Sequence, residues 1–190
     1  MSKRTIGWWI VAVLTLTTVV LAQTNHVEQR YTFKAANGSK AGPSGEGRLE
    51  LVITQWSTDA ERDRLLAALR EGPNKLADAI RAGYAVGYMH WPGGLDYTLR
   101  YAYRVPRSDG GEDVILGTDQ PISLWWDSGD VTPQSTVIQL RLSKDGRGEG
   151  KLGTKVSDQN AKTFVIDDFD ALPTTLIDVQ RERSATATSS

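Results

Sequence analysis

The sequence predicts an α+β fold that is mainly antiparallel β, a sandwich or a curled sheet of about nine or ten strands with one helical hairpin inserted after the second strand. Three observations carry this. Apolar and polar residues alternate over most of the chain from Tyr31 to Val179, the period of half-buried strands. Most connections between the alternating runs are short and rich in Gly, Pro and Asp, whereas parallel neighbours need a crossover of a dozen or more residues. Helical spacing is confined to one stretch, Thr58 to Ile80.

The amino end reads as an address. Lys3 and Arg4 precede an uncharged, mostly apolar run from Thr5 to Ala22, and Val20-Leu21-Ala22 offers small residues at cleavage spacing before Gln23. Threonines and a glycine in that run make it a poor membrane anchor, the alternative that retention of the segment would leave. The expected organisation is a signal peptide at 1–22, one β-rich globular domain at 23–183 and a disordered Ser/Thr/Ala tail at 184–190. Loss of 1–22 takes two basic residues and none of the 23 acids, so the formal charge moves only from −1 to −3.

Tyr31 to Ala36 alternates as a first strand. Asn37 to Gly47, with four glycines and Pro43, is loop. Leu49, Leu51 and Ile53 give one face of a second strand. Thr58 with Glu61 forms a capping box, and Leu65, Leu66 and Leu69 follow at helical spacing until Gly72-Pro73. Asn74 is the expected cap of a second helix striped by Leu76, Ala77 and Ile80. The period of two returns at Tyr84, Val86 and Tyr88. It continues with Tyr97, Leu99, Tyr101, Tyr103 and Val105 expected on one face and Thr98, Arg100, Ala102 and Arg104 on the other. Asp109-Gly110-Gly111 and Asp145-Gly146 are hairpin signals. They join runs at Val114–Gly117, Ile122–Trp126, Thr136–Leu142 and Glu149–Val156, with further strands at Thr163–Ile166 and Thr175–Val179.

Composition removes many chemistries. No cysteine exists to serve as nucleophile, crosslink or thiolate ligand, and the near-neutral charge gives no reason to expect nucleic acid as a partner. His26 and His90 are the only imidazoles. No serine stands in a G-x-S-x-G elbow, and no phosphate loop opens a helix. Asp158, Asp167, Asp168 and Asp170 lack the spacing of a calcium loop and read as a solvated acidic turn. Neither cofactor nor metal site is expected, nor stable membrane insertion once the leader is gone.

The residues nominated for ligand binding are His90, Trp91, Trp125 and Asp127. His90 and Trp91 end a strand at the sharp Pro92-Gly93-Gly94 turn. Trp125 alternates with Leu124 and Trp126 and should face outward, where an indole offers a stacking surface unless a helix covers it.

Gly47-Arg48-Leu49-Glu50-Leu51, Trp56 through Arg62, Val86-Gly87-Tyr88, Leu99 through Ala102 and Thr118 through Ser123 resemble a group of uncharacterised exported bacterial proteins. The resemblance covers less than half of the chain. It implies a bacterial source and a secreted or periplasmic location, and brings no activity with it. The expected role is a non-enzymatic module binding a ligand or envelope partner. The alternatives are a small exported hydrolase using Asp119 or Asp127, or an assembly protein pairing through a strand edge. Amino-terminal sequencing of the exported polypeptide is expected to begin at Gln23; a product retaining residues 1–22 overturns cleavage.

Overall fold

The computed structural model describes residues 29–36, 48–90, 96–122, 135–153, 155–159, 162–167, 169–170 and 175–182. The leader, the tail, Trp91, Trp125 and Asp127 lie outside them. Among the described residues eleven strands and two helices follow in the order β1 (Gln29–Ala35), β2 (Leu49–Ile53), α1 (Asp59–Glu71), α2 (Pro73–Arg81), β3 (Gly87–His90), β4 (Tyr97–Leu99), β5 (Tyr101–Pro106), β6 (Glu112–Thr118), β7 (Thr136–Leu142), β8 (Arg147–Gly153), β9 (Val156–Gln159), β10 (Thr163–Ile166) and β11 (Leu176–Arg181). The expected helical hairpin does sit after the second strand.

Nine strands form one antiparallel sheet in the order β4-β3-β2-β1-β11-β8-β7-β6-β5, and β9 pairs with β10 alone. The two ends of that order, β4 and β5, are consecutive halves of one strand interrupted only at Arg100. The first half pairs with β3 and the second with β6, so the sheet curls until one strand serves both of its edges. Three contacts complete the seam: Val86 N–H donates to Leu99 O at 2.8 Å, Ser57 N–H to Ala102 O at 2.8 Å, and Ala102 N–H to Ser57 Oγ at 3.1 Å. The result is a nearly closed eight-stave barrel, a size whose interior side chains can fill.

They do fill it. Tyr31, Phe33, Leu51, Ile53, Met89, Leu99, Val114, Leu116, Ile138 and Leu140 lie wholly buried in one interior cluster. A second cluster lies outside the barrel wall, where Tyr101, Ile115 and Val137 project from β5, β6 and β7. Leu65 and Leu66 of α1, Leu76 and Ile80 of α2, and Phe164 and Ile166 of β10 cover it. The Tyr101 and Phe164 rings stack with centroids 5.1 Å apart. A Cβ at Gly117 would come within 3.4 Å of Ile80, so the glycine lets α2 lie close on β6. Elsewhere the outer wall is wet: β1 and β2 present Arg30, Lys34 and Glu50, with Arg30 paired to Glu50 and Lys34 to Asp178. Among the described residues no helix is long and apolar enough to cross a membrane.

Several local expectations are corrected. Tyr101 and Tyr103 do not share a face with Leu99: the break at Arg100 shifts the alternation by one, so Leu99 and Ala102 face inward while Tyr101 turns out beneath the helices. Tyr84 is 86% exposed and precedes the strand rather than belonging to it. Asn74 is not a cap, because α2 starts at Pro73 from Gly72, whose φ of 130° is open to glycine. Proline at the first helical position forfeits an amide that had no partner to lose. The α1 box forms as expected, Glu61 N–H donating to Thr58 Oγ1 at 3.2 Å and Thr58 N–H to Glu61 Oε2 at 2.7 Å.

Gly148 on β8 sits against β7 so closely that a Cβ would lie 1.9 Å from Arg141 O. Gly148→Ala is expected to cost about 3 kcal/mol or prevent folding, because the obstacle is backbone rather than a movable side chain. Thr58→Ala, which removes only the cap, should cost about 1 kcal/mol. Urea melts of the two variants test the ranking; an undiminished midpoint in Gly148→Ala contradicts the tight β7–β8 register.

Candidate functional site

Closure gives the barrel two unlike rims. At one, β5–β6 and β7–β8 are joined by compact turns, Gly110 N–H donating to Arg107 O at 3.1 Å and Gly146 N–H to Ser143 O at 2.9 Å. Both glycines have positive φ, 82° and 79°. At the other rim stand the strand ends Ala36, Arg48, His90, Asp96, Ile122 and Ser135, by the antiparallel order of the sheet.

His90 ends β3 at this second rim, and its Nδ1 lies 2.6 Å from Asp96 Oδ1 across the start of β4. Both side chains are about half exposed, at 45% and 54%. The pair links the end of β3 to the start of β4, and the half-exposed imidazole keeps a second nitrogen able to give or take a hydrogen bond. Nearby, Thr98 N–H donates to Gln120 Oε1 at 3.3 Å, and Thr136 Oγ1 donates to Gln120 O at 3.2 Å. Asp119, nominated as a possible hydrolytic acid, faces Arg100 Nε at 3.0 Å and is held as an ion pair. Of the aspartates in the acidic turn, Asp158 pairs with Arg70 and Asp170 with Arg141, and among the described residues no three His, Cys, Asp or Glu side chains gather as a metal site would need. Asp168 lies outside the described residues.

The compact rim is sealed by a polar plug. Glu112 Oε2 accepts from Arg104 Nε at 3.1 Å, and its Oε1 lies 2.9 Å from Arg181 Nη1 without the alignment of a hydrogen bond. Arg104 also lies over the Trp56 ring, 4.9 Å from its centroid. Burial raises the pKa of Tyr31 nearby, with Glu112 adding to it.

A feature invisible in the sequence lies on the outer wall beside this rim. The β5–β6 turn, β7 and Lys162, which precedes β10, border an open cleft of about 450 Å³ lined also by Asp113, Val105 and Pro106. Register makes its floor, pairing Val105 with Asp113 and Asp113 with Arg141 across three strands. Asp113 Oδ1 stands 3.8 Å from Arg107 Nη1 and 3.6 Å from Arg141 Nε. Arg141 is pinned from outside, its guanidinium 4.1 Å above the Phe169 ring and its Nη1 2.6 Å from Asp170 Oδ1.

No known protein family, curated protein or solved structure matches the chain.

Asp113 titrates above its ordinary 3.8, chiefly because burial takes its carboxylate out of water, while Arg141 and Arg107 pull the other way. The folded chain therefore holds this proton more tightly than the unfolded one, and the group's contribution to stability falls as pH rises above 3.8 through the folded value. Asp113→Asn is accordingly expected to raise Tm at neutral pH, with the gain vanishing by about pH 3, where both states of the wild type are protonated. Thermal melts at the two pH values check the sign; a variant less stable at neutral pH than the wild type opposes it.

Proposed function

We propose that the protein is an exported, non-catalytic module that binds a ligand or a cell-envelope partner at the barrel rim carrying His90. The observation behind this reading is topological. The connections 37–47, 91–95 and 123–134 all leave strands whose ends stand at that rim, and a rigid scaffold presenting long connections at one end is a common way to build a binding face. Trp91, Trp125 and Asp127 belong to two of these connections.

Export rests on the leader and on the resemblance to exported bacterial proteins, and it sets the class of partner. Two further features favour binding over the alternatives. Asp119 is engaged by Arg100, which leaves the hydrolase reading one acid fewer. Both edges of the large sheet are taken up at the β4–β5 seam, which weakens assembly by edge pairing.

Tryptophan emission of the exported protein is to be titrated with soluble peptidoglycan fragments and with phospholipid vesicles. At least one should shift the emission, and Trp91→Ala or Trp125→Ala should weaken that response about tenfold, the cost of a central aromatic anchor. Emission unchanged by both probes overturns the reading.

A further inference from the structure

We propose that the compact end of the barrel binds a water molecule inside the lumen, seated between the Tyr31 hydroxyl, Glu112 Oε1 and the Arg181 guanidinium, and that this water ties β1 to the opposite wall. The site lies at the other end of the barrel from His90 and stands independently of the binding face there.

Alternation along the staves aims four side chains into one end of the lumen. Tyr31 belongs to the interior cluster, and its partner across β1 and β11 is Arg181, which shares its face. Glu112 is the partner of the inward Leu142, and Arg104 that of the inward Val114. Because β8 and β7 separate β11 from β6, the 2.9 Å approach of Arg181 Nη1 to Glu112 Oε1 spans the mouth of the lumen rather than joining neighbouring staves. Tyr31 stands on β1, one stave further round. The charges acting on its phenol are Glu112, Arg104 and Arg181.

Hydrogen-bond accounting at this end then calls for a small neutral partner. Tyr31 is wholly buried, and neither its hydroxyl nor Glu112 Oε1 has a hydrogen-bond partner. Buried polar groups are nearly always paired, and two left unmet in one place are costly. Glu112 Oε2 is already taken by Arg104 Nε at 3.1 Å, and Arg181 lacks the alignment to serve Oε1. Burial raises the phenol's pKa, so Tyr31 keeps its proton as a donor. A water accepts that proton's hydrogen bond, donates to Glu112 Oε1 and can accept from Arg181, about three bonds, the usual number for a buried water. An ion suits the place less well, since a cation meets two arginines and an anion meets Glu112. An open cleft of about 280 Å³, bordered by Glu112, Arg181, Gly110, Gly111 and Ser143, adjoins the ion pair and offers solvent a way in.

The test is water-oxygen magnetic relaxation dispersion of the exported protein, which counts waters held long enough to tumble with it, together with nuclear Overhauser spectra of the Tyr31 ring. A cross-peak from the ring protons to the water frequency is expected. Tyr31→Phe, which keeps the ring and removes the hydroxyl, should lose about one long-lived water from the count. The count reads water oxygen and is blind to hydroxyl exchange, so it separates a bound water from the phenol's own exchanging proton. An absent cross-peak, or the same count in Tyr31→Phe and the wild type, overturns the site. Should Tyr31→Phe fail to fold, a crystal structure of the wild type decides alone: ordered solvent density between Tyr31 and Glu112 supports the site, and a direct hydrogen bond between the two side chains overturns it.

Discussion

The whole architecture depends on one strand pairing twice. Residues 97–106 hydrogen-bond to β3 with their first half and to β6 with their second, and Ser57 takes up the amide and carbonyl of Ala102 where β3 has run out. An open nine-stranded sheet would leave two rows of amides and carbonyls unpaired at its margins. Closing the sheet removes both rows and creates an inside, in which alternate side chains from every stave must then fit. Among the described residues, two positions in the wall break the alternation. At Arg100, inward residues Leu99 and Ala102 are three apart. On β11 the same is true of Leu176 and Val179, with Asp178 between them at a φ of 54°. Such bulges bend a strand and sharpen its twist, which a small barrel requires.

The second layer follows from composition of the outer wall. Where β5, β6 and β7 present Tyr101, Ile115 and Val137, the helices and the β9–β10 hairpin bury those side chains; where β1 and β2 present Arg30, Lys34 and Glu50, the wall stays in water. Several polar groups at the cover are paired, although the buried Tyr101 hydroxyl has no hydrogen-bond partner. Gln139 accepts from Ile166 N–H at 3.0 Å, the buried Lys151 donates to Phe169 O, and Tyr103 donates to Asp59 at 2.7 Å to fasten α1 to the barrel. The charged cleft beside Asp113 arises at the margin of this layer, where cover ends and Arg107 and Arg141 meet carboxylates half-buried.

Local physics was legible in the sequence and nonlocal pairing was not. The capping box at Thr58 and Glu61 and the stripes of both helices depend on neighbours within four residues, and they appear where spacing puts them. The Arg100 break reads as continuous alternation, because nothing local marks a bulge at a residue of ordinary strand character. Tyr84 continues a pattern of two that simply starts too early. His90 could be nominated because a turn signal follows it directly. Arg107, Asp113, Arg141 and Lys162 are scattered over 56 positions and each reads alone as a solvated charge; the β5-β6-β7 register sets Asp113 beside Arg141 and the end of β5, and the packing of β10 on the wall adds Lys162.

The placement of β11 has a consequence for how the chain is made. The last strand of the barrel, Leu176–Arg181, sits between the first, β1, and β8, so no stave-by-stave zipping from the amino end can finish the wall. Without β11, β1 and β8 would each lack a partner on the side that faces it, and the wall would stand open there onto an oily lumen. Closure by so distant a segment is a long-range event, slow to form, and a wall lacking that stave exposes strand margins able to pair elsewhere.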